Sequence, residues 1–247
     1  MFPDQKLSRR SVVDLCTEAL QHSILSGDVA VGSRLPPERE LADQMGVSRL
    51  TLRSALTRVT ASGLLSVRQG SGYVVQDVRQ SGGPDLLPEI VALATDGPDR
   101  RQVIGDLLAM RRQVARVILE RLAEPAERKD ISGVLEAIEG FAAHVEAGDS
   151  TKSIARADHE VITAMVDATG STVYALCINP ILSVVIDVEP LRDAMYRKPA
   201  DILAAYRIMQ YWLLDPDPAF IGRLMTELVR RDEATVRHMA RPDGSST

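Results

Sequence analysis

The stretch GVSRLTLRSALTRV, residues 46–59, carries two arginines, Arg49 and Arg53, four residues apart behind Gly46 and Ser48. Four residues is about one helical turn, so on a helix the two guanidiniums share a face, with Thr57 one turn further along and Thr51 toward the edge. Leu52, Ala55, Leu56 and Val59 recur at i, i+3, i+4 and i+7 and make another side a core stripe. A guanidinium donates two hydrogen bonds at once to the O6 and N7 atoms of guanine, and the positive end of the helix dipole attracts phosphate. The chemistry this predicts is recognition of double-stranded DNA by the first turns of a helix lying in the major groove. Taken alone, such an arginine pair more often marks a solvated helix face; the surrounding elements decide.

Those elements are legible. Val12 to Ser26 has apolar residues at helical spacing, and Gly27 closes the run. Pro36-Pro37 marks a turn, with Pro37 suited to a helix start and Glu38 and Glu40 in the first turn, where negative charge suits the dipole. That second helix runs to about Met45. Gly46 ends it, and Ser48 can cap the next helix by accepting from its free backbone N–H groups. The chain then reads Leu64 to Arg68 and Gly72 to Val75 as two short strands of a hairpin. Three helices and a hairpin make a winged helix-turn-helix, with Arg68, Gln69 and Gly70 at a wing tip that reaches the minor groove or backbone, or is an ordinary surface turn.

Composition is that of a globular protein, 45% hydrophobic and 26% charged in 247 residues. No apolar run approaches the roughly 20 residues of a membrane span, and MFPDQKLSRR lacks the apolar centre of a signal peptide. A cytoplasmic protein without a membrane partner is expected. Cys16 and Cys177 sit in apolar helical patterns and read as buried thiols rather than a disulfide. The net charge of −5 is uneven: residues 1–76 hold nine basic against seven acidic side chains, a balance of +2 that leaves −7 for the remainder. A cationic module joined to an acidic domain follows.

The run ILSGDVAVGSRLPPERELADQMGVSRLTLRSALTRVTASGLLSVRQGSGYVV resembles the N-terminal domain of GntR-type bacterial transcription regulators. The resemblance implies DNA contact by Arg39, Ser48, Arg49, Thr51, Arg53 and the wing residues Gln69 and Gly70. Leu50 stands where relatives often carry a small polar residue, and is suited instead to an apolar contact with a thymine methyl.

Residues 77–88 are rich in Gly, Pro and polar side chains and read as a linker between domains 1–76 and 89–247. Beyond it, helical spacing recurs over about 103–124, 127–147, 151–168, 172–188, 200–214 and 219–239, with Pro190 among the breaks, and no segment reads as a strand. The expected fold is mainly α: a winged helix-turn-helix with a small β-hairpin wing, then an all-α helical bundle for effector binding and dimerisation. The bundle sequence is similar to the effector domain of the FadR subfamily. That resemblance implies a metal held by one Asp and three His, but only His159 matches; the aspartate position is Ala155, and later histidine positions hold Tyr206 and Leu228. Asp158, about 100° round a helix from His159, is a poor substitute. No metal and no cofactor are therefore expected.

The resemblance also implies a cavity faced by Arg111, so that Arg111, His159 and Tyr206 orient a small-molecule effector, a carboxylate or acyl compound. The plainer alternatives are a surface ion pair for Arg111, a satisfied core histidine for His159 and packing for Tyr206. His144, on the stripe of Ile138, Phe141 and Val145, reads as a packing residue. The function expected is a ligand-responsive regulator, a repressor binding an inverted-repeat operator as a homodimer. The competing reading is a metal-assisted enzyme with an N-terminal docking module; the incomplete ligand set and the absence of a recognisable nucleophile arrangement argue against it.

Overall fold

The structure, a computed structural model, describes residues 11–68, 72–124 and 130–240. It divides into two compact units, residues 1–90 and 91–247.

The first unit opens with α1 (Val12–Leu25), α2 (Glu38–Met45) and α3 (Arg49–Ala61). Ser11 caps α1 in a reciprocal arrangement: its Oγ accepts from the Asp14 amide at 3.2 Å, while its own amide donates to the Asp14 carboxylate at 2.8 Å. Arg58 of α3 donates to the same carboxylate, tying α1 to α3. Gly46 ends α2 in the left-handed conformation at φ 64°, where a side chain would be strained. Ser48 then caps α3, accepting from the Thr51 amide at 3.1 Å. The expected stripe is the core: Leu52, Ala55, Leu56 and Val59 are all buried, packed with Cys16, Leu20 and Ile24 of α1.

Strands β1 (Leu65–Arg68) and β2 (Gly72–Val75) pair antiparallel, with Leu65 opposite Val75 and Arg68 opposite Gly72. An unanticipated addition is the segment before α2, where Arg34 bridges Val74 and the Gly32 and Leu35 amides donate to Val75 and Tyr73 carbonyls.

Residues 77–88, read from composition as a linker, contain α4 (Val78–Ser81), a 3-10 turn over Pro84–Leu86 and the start of α5 (Leu87–Asp96). Leu86 is fully buried in the core of the first unit. The polar composition hid two apolar anchors, Val78 and Leu86. Gly63 makes the packing possible: it lies at φ 83°, and a Cβ there would stand 1.8 Å from the Ser81 carbonyl oxygen.

The second unit is all-helical: α6 (Arg100–Leu122), α7 (Ser132–Glu146), α8 (Thr151–Thr169), α9 (Thr172–Asp187), α10 (Glu189–Met195), α11 (Pro199–Leu214) and α12 (Pro218–Met239). Helix α6 packs against α8, α9 and α12, and α7 against α8 and α11. Phe141 of α7, fully buried, meets the Tyr206 ring of α11 edge to face at 5.2 Å. Helix α7 starts at Ser132; the expected start near Glu127 lies outside the described residues. Pro190 does not merely break the chain but sits in the first turn of α10, where its missing N–H is harmless. No single helix among the described residues is long and apolar enough to cross a membrane.

Two expectations about packing change. Cys16 is buried, but Cys177 is exposed, because α9 turns it outward beside the exposed Val173 and Leu176. His144 does not pack inward; its Nδ1 meets Asp149 at 2.6 Å at the end of α7.

Two outcomes follow. Gly63→Ala combines positive φ with a backbone clash and should destabilise the first unit by about 2 kcal/mol or more, read as a lower denaturation midpoint. The Asp14 carboxyl is lowered from 3.8 to about 2, first by the Ser11 amide and then by Arg58. A depressed pKa gives stability that is present above pH 3.8 and lost as pH falls through about 2. Acid titration of α1 docking should show that loss, and Asp14→Asn should remove the dependence over this window.

Candidate nucleic-acid interface and effector cavity

The opening turn of α3 is open to solvent. Arg49, Leu50 and Arg53 are exposed, as is Arg39 on α2, while Thr51 is half-buried. The Ser48 and Thr51 hydroxyls lie 2.8 Å apart, fixing the side chains at the helix start. Leu50 is 77% exposed, a large apolar side chain offered at the tip of a polar surface. Arg53 does not stand free: its Nη2 donates to Glu38 of α2 at 3.1 Å. The guanidinium side of this pair is 69% exposed, and an exposed pair contributes only about 0–1 kcal/mol. A phosphate or base edge can therefore take its place. Gln69 and Gly70 lie outside the described residues; Arg68, beside them, is exposed at the end of β1.

In the helical unit, α6, α8, α9, α11 and α12 line a half-open cavity whose empty space, with the solvent at its mouth, comes to about 890 Å³. Its walls are mostly apolar, from Ile118, Met165, Ile178, Ile202, Met209 and Leu228, and its polar groups are concentrated in Arg111, Asp158, Tyr206, Glu227 and Arg231. Asp158 is the acceptor shared by two of the tyrosines. Tyr196 donates to one carboxylate oxygen at 2.7 Å and Tyr206 to the other. Burial, and then the negative charge of Asp158, push both phenols well above the usual tyrosine range, so both remain donors.

Arg111 is buried and charged. Burial opposes its charge, but the carboxylates of Asp232 and Asp158 outweigh that, and its pKa is raised. Its Nη2 donates to Asp232 at 2.7 Å, and Arg112 donates to the other Asp232 oxygen at 2.8 Å. The ion pair is thus real but internal, not the surface pair considered from sequence.

Arg111 and Tyr206 both line the cavity; His159 does not. His159 is half-buried, and its Nδ1 is buried without a hydrogen-bond partner. Of the neighbouring pair, Asp158 is the residue that faces the cavity. It falls on the buried stripe Ile154, Asp158, Val161 and Met165, a signal that was available. Asp232 likewise follows Ile221 and Met225 on the buried side of α12. Tyr196, Glu227 and Arg231 had no comparable pattern to announce them. The residues do not fit a metal: Asp158 already accepts from two tyrosines, Ala155 and Leu228 offer no ligand, and no group of three or more His, Cys, Asp or Glu among the described residues is placed to hold one.

A helix-turn-helix with a hairpin wing, joined to a helical unit with an apolar cavity, defines the two-part class of DNA-binding transcription regulators. The chain belongs to the GntR family: residues 16–75 match "Bacterial regulatory proteins, gntR family" and residues 106–231 match the FCD domain. It is a regulator and not an enzyme. It is 44% identical over 87 residues to the HTH-type transcriptional regulator Mce2R of Mycobacterium tuberculosis, a match covering 35% of this chain and 36% of that one. It is 30% identical over 173 residues to the fatty acid metabolism regulator protein of Edwardsiella ictaluri, covering 70% and 69%. Among solved structures it is similar in fold to Lar, which "controls the expression of the Listeria monocytogenes agr system", with a TM-score of 0.65 at 14% identity over 93% of this chain and 99% of that one.

Removing Asp232 tests the buried charge cluster. Asp232→Ala leaves two guanidiniums without their carboxylate and should destabilise the helical unit by about 3–5 kcal/mol, measured as a shift in denaturation midpoint.

Proposed function

We propose that the chain is a ligand-responsive repressor that binds an inverted-repeat operator as a homodimer in the cytoplasm and releases it when a small metabolite enters the helical unit. The observation that carries this reading is an apolar cavity with concentrated polar groups, in the same chain as a recognition helix whose arginine face is exposed. Arg49 and Arg53 read bases, Leu50 meets a thymine methyl, and Arg39, Ser48 and Thr51 fix the helix against the phosphate backbone. Gln69 and Gly70 are assigned to wing contacts on the sequence resemblance.

The effector is a small carboxylate or acyl compound whose apolar part lies along Ile118, Met165 and Met209 and whose polar end meets Arg111 and Tyr206. The Edwardsiella relative is a fatty acid metabolism regulator protein by name, which agrees with an apolar ligand. A second copy has apolar surface to cover: Val173 and Leu176 on α9, and Ile208, Tyr211 and Leu214 on α11, are exposed. A coupling of about 1–3 kcal/mol between cavity and operator is enough to switch occupancy.

The test is footprinting on the DNA upstream of the protein's own gene, with and without a panel of small carboxylates and acyl thioesters. A protected inverted repeat that one compound abolishes supports the proposal, and protection that no compound alters removes the ligand-responsive part. Arg49→Ala should weaken operator binding by about 1–3 kcal/mol and relax preference at one base pair. An equal loss on random DNA would reduce Arg49 to a phosphate contact.

A further inference from the structure

A second cleft in the helical unit adjoins the effector cavity and differs from it in chemistry. It is walled by the end of α10, the turn into α11, one side of α12, and Arg111 of α6. Five of its eleven lining residues are cationic, Arg111, Arg197, Lys198, Arg230 and Arg231, against Asp201 and Asp232.

Much of this charge is committed elsewhere. Asp232 is held by Arg111 and Arg112, Arg230 grips both oxygens of Glu227, and Arg197 donates to His238 at 2.8 Å. Lys198 and Arg231 remain: neither makes an ion pair or a side-chain hydrogen bond among the described residues. Arg111, 8% exposed, keeps a buried Nε without a partner. Lys198 is also the N-cap of the 16-residue α11, which has no side-chain cap, so the positive end of that helix dipole adds to the cleft.

The geometry points to a second ligand site: this cleft binds a phosphoryl group, supplied either as free phosphate or as a phosphate ester of a small organic molecule. The uncommitted cations, Lys198 and Arg231, arrive from two different elements, the start of α11 and α12, with the buried Arg111 of α6 behind them. A tetrahedral dianion has acceptor oxygens for all of them, whereas a monocarboxylate presents two in one plane. Arg111 and Arg231 also wall the effector cavity, so an ester with an apolar body is able to occupy both spaces. The site stands independently of the operator reading, because its ligand is read out without DNA.

The test is calorimetric titration of the full chain at fixed ionic strength with sodium phosphate and with hexyl phosphate, using chloride as the control. Saturable heat with phosphate but not chloride is expected. Lys198→Ala, at an exposed position outside the effector cavity, should weaken binding by about tenfold, and Lys198→Arg should restore it. Equal affinity for the two ligands identifies free phosphate, and tighter binding of hexyl phosphate identifies an ester; the lysine dependence holds in both cases. No saturable binding of either ligand, or unchanged affinity in Lys198→Ala, overturns the proposal.

Discussion

Asp232 accepts from two guanidiniums at once inside a helical unit whose core is mostly apolar. Taking a charge out of water is tolerated only where partners and hydrogen bonds compensate it. Here one carboxylate neutralises Arg111 and supports Arg112, and Asp158 adds to the field that keeps Arg111 charged. Asp158 in turn is kept satisfied by Tyr196 and Tyr206, and Tyr206 is propped by the ring of Phe141. The polar end of the cavity is therefore one connected network running through α6, α7, α8, α11 and α12. A ligand that inserts a polar group there competes with bonds that join α6 to α12 and α8 to α11. This is a physical route by which occupancy of a small space can alter the packing of a whole unit.

The head unit is governed by a different constraint, the local geometry of turns. Gly46 and Ser48 set where α2 ends and α3 begins, so the first turn of α3 stands clear of the body. Gly63 lets the segment after the wing close down on the turn behind α3, and Leu86 seals it. The two units thus reach specificity of shape by unlike means, backbone permissiveness in one and buried charge compensation in the other.

Sequence carried the head almost residue by residue because its signals are local. A capping serine, a left-handed glycine and an i, i+3, i+4, i+7 stripe act within a few residues of one another, and the structure honours each. The helical unit was legible as helices but not as a site. Spacing says that Asp158 and His159 point in different directions, yet not which one points inward; that depends on which face of α8 meets α6 and α9. The apolar stripe through Ile154, Val161 and Met165 carried the answer, whereas the family resemblance drew attention to His159 instead. The partnership of Arg53 with Glu38, fifteen residues apart, and that of Arg111 with Asp232, 121 apart, arise from tertiary packing and have no local signature. Cys177 shows the same limit from the other side: an apolar neighbourhood in sequence turned out to be an exposed face.

The contact between Arg53 and Glu38 gives the head an internal competitor. Glu38 engages one Nη of that guanidinium, and its other N–H donors stay open to solvent. A partner that takes two N–H donors at once, a guanine edge or a phosphate, offers one bond more than Glu38 does. The carboxylate also lowers the positive potential at the start of α3, so attraction to charge alone is weakened there while most of the arginine's donors are kept.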